Sequence, residues 1–439
     1  VSGKNIGAIA TLAGAAVGLA MLVSSCGFTI TFAPLPFCLR FDEIGFTEVE
    51  GDPPAVVFEQ PGAVQVLHGI GRATRTSGHQ IKVEQSAEIP AYANRATVFL
   101  NGWRAAYDDG DDHHVAGLGT MIARLNVQPG KLTWNALGGI GDDSEDARPF
   151  TWSYAYTIVA WNDTAVQAMV DHSDDEFYCK EPGGSDGADN FYYASNENTT
   201  TALASFRSFL ENPGFATGRQ VAVMPRGYGY VWDHGDDHHL LQVAYNLEGA
   251  SPYVEHLDYQ KANATLNPLA ANPSTGRAGG AFVSWNTEAI FKDNSGRRDF
   301  IFAEIVSAMG GPDVELIQPP FSILPIEDDS SGSVGGAGVA TREFVVENLP
   351  YLCAVPMLTG WNLGYLTSDQ HVKEIGIWLS DVRYERPAGA ATGTLRYKLN
   401  SVMRDNDDMP DHFSAHTVSV LGLKRDGGVK RDASGRPID

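Results

Sequence analysis

The stretch Asn101-Gly102-Trp103-Arg104-Ala105-Ala106-Tyr107-Asp108-Asp109-Gly110-Asp111-Asp112-His113-His114-Val115 decides the reading of this chain, because its pattern returns twice. Gly227-Tyr228 and Trp232 lead to Asp236-Asp237-His238-His239-Leu240, and Gly360-Trp361 and Tyr365 lead to Asp369-Gln370-His371-Val372. A second block follows each first one: Trp134, Asp142 and Phe150; Trp285, Asp293 and Phe300; Tyr397, Asp405 and Phe413. An ordered pair of blocks repeated three times marks three copies of one unit. The histidines fall at 114, 239 and 371, a spacing that suits one domain per copy. Such copies form either beads on a string or a compact trimer within one chain.

Inside the copies the periodicity is that of strands. Trp152, Tyr154, Tyr156 and Ile158 alternate with Thr151, Ser153, Ala155 and Thr157, giving one bulky face and one small or polar face. Val98 to Leu100, Val221 to Met224 and Phe344 to Val346 are short apolar runs suited to strand cores. Thr201 to Leu210 is the one helix candidate. The expected fold class is all-β, with three tandem related antiparallel β-sandwich, jelly-roll-like domains behind an apolar N-terminal segment. Their expected bounds are 1–37 for the apolar segment, 38–165, 166–310 and 311–423 for the repeats, and 424–439 for a tail. The second repeat carries an insertion near 267–280, rich in Asn, Ala, Gly and Pro.

Composition narrows the function classes. The 439 residues carry a formal charge of −23, and 43% are hydrophobic, with 20 Phe, 16 Tyr and 8 Trp, so the chain has ample material for a core. An acidic surface offers nothing to phosphate backbones, which argues against nucleic acid as a partner.

Between Lys4 and Arg40 no residue is charged, and the stretch from Ile6 to Val23 is rich in Ala, Gly, Leu and Val. This pattern is that of a signal-type segment. Its end, Leu22-Val23-Ser24-Ser25-Cys26, resembles the bacterial lipobox. The resemblance implies lipidation of Cys26 and tethering at the cell surface or outer membrane. A signal anchor or an apolar assembly arm is the alternative. Cys38, Cys179 and Cys353 then allow one disulfide and one thiol.

The acidic loops are the strongest candidates for chemistry. Clustered carboxylates repel one another and are easier to gather around a cation. Asp109, Asp111, Asp112 and His114, with Asp236, Asp237 and His239, are therefore candidate metal ligands, and Asp142 and Asp293 join them if the second block reaches the same end of the domain. Ca²⁺ is the ion such oxygens suit, with imidazole adding affinity for Zn²⁺, Mn²⁺ or Ni²⁺. The third copy keeps only Asp369 and His371, so the element common to all three is Asp-x-His. A structural pairing of Asp with His that caps the loop is the favoured reading of that element. Trp103, Tyr107, Tyr228, Trp232, Trp361 and Tyr365 precede the loops, and are either core residues or a stacking platform for sugar rings.

No GxSxG, HExxH or P-loop is present, and three copies serve multivalency better than catalysis. The sequence leads us to expect a non-enzymatic, exported structural or adhesive protein that self-associates in a surface layer or filament. A multivalent carbohydrate-binding lipoprotein is the alternative, with cell-surface glycan as partner, and a glycan-active hydrolase comes third.

Overall fold

The computed structural model describes residues 45–76, 78–142, 148–172, 191–194, 203–211, 221–232, 239–248, 254–255, 282–293, 300–317, 339–365, 371–405, 412–425, 430–431 and 437–438. The apolar segment 1–37, Cys26, Cys38, Cys179 and the 267–280 insertion lie outside them. The described residues are all-β.

The first segment supplies β1 (Ala55–Gln60), β2 (Val64–Arg75), β3 (Gln80–Glu88), β4 (Arg95–Tyr107), β5 (Val115–Gln128), β6 (Lys131–Asp142) and β7 (Phe150–Trp161). The second supplies β8 (Met169–His172), β9 (Phe191–Ala194), β10 (Leu203–Glu211), β11 (Val221–Trp232), β12 (Leu240–Glu248), β13 (Val254–Glu255), β14 (Phe282–Asp293) and β15 (Phe300–Gly310). The third supplies β16 (Val314–Ile317), β17 (Ala340–Leu349), β18 (Tyr351–Tyr365), β19 (Val372–Glu385), β20 (Gly393–Asp405) and β21 (His412–Arg425), and the tail adds β22 (Lys430–Arg431) and β23 (Pro437–Ile438).

Three large antiparallel sheets result, and each takes strands from two segments. The orders are β1-β2-β7-β4-β19-β20-β17, then β10-β14-β12-β18-β21-β16, then β3-β6-β5-β11-β15-β8. Each segment thus splits into two half-sheets, and the three junctions β4·β19, β11·β5 and β18·β12 close the ring. Of the two arrangements the spacing allows, this is the compact one, with the segments interlocked. The strands β4, β11 and β18 also touch one another across the centre.

Local sequence explains the strands. Along β7 the bulky residues are buried throughout, while the small face is half-exposed at Thr151 and Ser153 and buried from Ala155 onward, where both faces are covered. The expected helix at 201–210 is instead a strand: residues 203–211 pair with β14 over their whole length. Cross-strand pairing there overrides a local preference that a ten-residue segment expresses only weakly.

The repeated blocks fall into one register. Across the junctions Trp103 pairs with Ile377, Tyr228 with Thr120 and Trp361 with Tyr245. In each case the partner lies six residues beyond the histidine at 371, 114 or 239. A β-bulge precedes each of these aromatics, between Leu100 and Trp103, Pro225 and Gly227, and Leu358 and Gly360. The bulges carry buried polar residues: Asn101, Arg226 and Thr359. Asn101 accepts from the Leu358 amide at 2.9 Å and donates to the Pro356 carbonyl at 3.0 Å, so a side chain of the first segment completes the backbone of the third. Glu374, fully buried on β19, pairs across the same junction with Arg104 and on its other side with Arg404. The third block is offset by one place: Tyr107 faces Phe150 and Trp232 faces Phe300, but Tyr365 faces His412, and Phe413 faces Gly364.

Two buried histidines are expected to make the fold acid-sensitive. His68 on β2 bridges the Thr157 hydroxyl at 3.0 Å and the Leu379 carbonyl at 3.2 Å. Burial holds its pKa down to about 4, outweighing the upward pulls of that carbonyl and Asp381. Burial, with the charge of Arg342, holds His416 at about 4 as well. Both rings are neutral in the fold and take up protons near 6.5 once exposed. The unfolded chain therefore binds more protons between these values, and stability falls as pH drops from 6.5 to 4. Each ring accounts for roughly 3 kcal/mol over that window. Urea midpoints at pH 7 and pH 4.5 are expected to differ accordingly, and His68→Gln to flatten the dependence. An unchanged slope in that variant would exonerate the ring.

Candidate functional site

The three sheets bring His114, His239 and His371 together at one end of their common axis. Each ring sits on the residue just before a strand, β5, β12 or β19. Each of those strands begins opposite a buried aspartate: Val115 faces Asp142, Leu240 faces Asp293 and Val372 faces Asp405. The aspartates of the second block thus mark strand ends. The ring centroids form a nearly equilateral triangle of 4.6, 4.9 and 4.9 Å, with rings tilted by 42° to 50°. One donor atom from each ring lies within 4.8 Å of the other two. All three rings are half-buried.

A second layer lies further along β4, β11 and β18. Trp103 meets Trp361 edge-on at 5.9 Å, and Tyr228 lies 5.3 Å from Trp361. All six aromatics singled out as a sugar platform are buried: Trp103, Tyr107, Tyr228, Trp232, Trp361 and Tyr365. They are core, because the bulged strands turn them toward the centre where three sheets meet. Trp232 donates its indole N–H to the Val115 carbonyl at 2.9 Å, and so ties the second segment to the strand that carries His114.

A scan of protein-family models and a search of curated proteins both find no match to this chain. Its chemistry therefore rests on the arrangement itself.

The acidic residues of the first loop are distributed rather than gathered. His113, buried and stacked on Tyr107 at 3.7 Å, lies between Asp142 at 2.6 Å and Asp109 at 2.5 Å. Burial alone would lower its pKa, but the two carboxylates outweigh burial and raise it. Asp111 pairs with Arg148 at 2.7 Å, and Asp112 reaches toward His371 Nδ1 at 3.8 Å. Asp–His pairing thus exists, but it runs through His113 and the second-block Asp142. Asp236, Asp237 and Asp369 lie outside the described residues.

Among the described residues the donors that converge are therefore imidazole nitrogens, not the oxygens that Ca²⁺ requires. His371 was missing from the expected ligand set because its loop lacks the acidic run of the other two. The signal that would have found it is the histidine itself, present in all three copies where the acids are present in two.

Proposed function

We infer that this chain is an exported structural or adhesive protein of the cell surface, a subunit that assembles by strand pairing into a layer or filament. The observation that carries the reading is the edge strand β17, eight of whose ten residues pair on one side with β20. Most of its residues are exposed, and Val345 leaves 44% of its surface open. The opposite edge of the same sheet, β1, exposes Val56 to a similar degree. Unlike edges at the two ends of one sheet suit head-to-tail addition of copies. The signal-type stretch and the lipobox resemblance at Cys26 supply the export route and the membrane tether. Burial of the six aromatics favours assembly over sugar binding, and the acidic charge disfavours nucleic acid.

Light scattering on the full chain tests this directly. Particles many times the 47.2 kDa chain mass are expected. Val345→Lys, which places a charge on the edge, is expected to cut the assembled fraction about tenfold. A monomer at all concentrations up to about 100 μM would overturn the reading, since a surface-layer subunit must associate well below that range.

A further inference from the structure

We propose that His114, His239 and His371 bind one divalent ion of the zinc, nickel or cobalt class, which clasps the three segments at one end of their common axis. Trp103, Tyr228 and Trp361 bring indole and phenol together elsewhere in the centre, whereas three imidazoles gather here. Three features make it a metal site. The donors are imidazoles, the commonest ligands for borderline ions. They converge within 4.8 Å, and a facial set of three nitrogens at about 2.0–2.1 Å from an ion needs separations of about 3 Å, so the rings close in further when an ion binds. The rings are also preorganised, because each precedes a strand locked in register against a buried aspartate.

The arrangement selects among ions and assigns a role. Nitrogen donors exclude Ca²⁺ and Mg²⁺ as preferred guests. Half-burial leaves the remaining coordination positions to water, and Asp112, with its carboxylate 3.8 Å from His371 Nδ1, stands where it can steady that ring. Since each segment contributes one ligand, the ion adds a further link among segments already joined by the strand junctions and the central packing. The role is distinct from assembly through β17, so the two readings fail separately.

The test uses the full chain, stripped with EDTA and titrated with ZnCl₂ in a calorimeter. One ion per chain is expected, with a rise in melting temperature of about 5 °C at saturation, and no comparable rise with CaCl₂. His114→Asn, His239→Asn and His371→Asn should each weaken binding by about a hundredfold or more, while His172→Asn, on β8, leaves it unchanged. In the unmodified chain, Zn²⁺ should also protect all three rings from diethyl pyrocarbonate while His172 still reacts, a readout that does not depend on a variant folding. Absence of binding at millimolar Zn²⁺, equal affinity in the His114→Asn chain, or lack of protection would each overturn the proposal.

Discussion

Gly102→Ala is expected to destabilise the protein by roughly 3 kcal/mol or more. Gly102 adopts a φ of +121°, a region that only glycine enters without strain. A Cβ there would also stand 2.2 Å from the Ile377 carbonyl oxygen and 2.3 Å from the Trp378 Cα, both backbone atoms of β19. The neighbour cannot move aside without opening the junction between the first and third segments. The equivalent Gly227 is hemmed in by Met121 and the Thr120 carbonyl of β5, so Gly227→Ala should behave similarly. Gly360 faces mainly the Asn246 and Thr417 side chains, which can turn, so Gly360→Ala should cost least of the three. Urea unfolding checks the order; equal costs at all three positions would show that close backbone approach is not the cause.

Trp103→Ala is expected to cost roughly 3–5 kcal/mol. The side chain is almost fully buried where the three sheets meet, with Trp361 against its edge. Neighbours from all three segments surround the void, and none can collapse into it without shifting its own sheet. A drop in the urea midpoint with an unchanged m-value, together with loss of near-ultraviolet dichroism, would verify this; a cost below about 1 kcal/mol would mean that the centre repacks freely.

Most of the repeated aromatic, histidine and aspartate positions were legible from sequence because each recurs at nearly constant spacing, and the aromatics at the junctions, the histidines and the second-block aspartates fall into matching register. What was not legible is which strand edges meet. Edge pairing between segments leaves no periodic trace, since backbone groups make the ladder whatever side chains they carry. For that reason the aromatics before the loops were readable as core, the commoner fate of a repeated aromatic, or as surface, and the ring of junctions turns them inward. The Phe413 match failed by one residue, since Phe413 pairs with Gly364 and it is His412 that pairs with Tyr365. In the first acidic loop, charge density suggests an oxygen-lined site, and the structure shows Asp109 and Asp142 holding a histidine and Asp111 an arginine.

The junction between β4 and β19 has a consequence for how such a chain is made. Arg104 and Glu374, which meet there, are 270 positions apart, so the ring cannot close until the third segment has been synthesised. Until then the inner edge of β4 has no native partner, and closure must wait for a contact of very high sequence separation, which slows folding. A nascent chain in that state exposes a long apolar strand edge to its neighbours. Delivery across a membrane before folding would keep those edges apart until synthesis is complete, and would make the last third of the chain the step that commits the first to its final form.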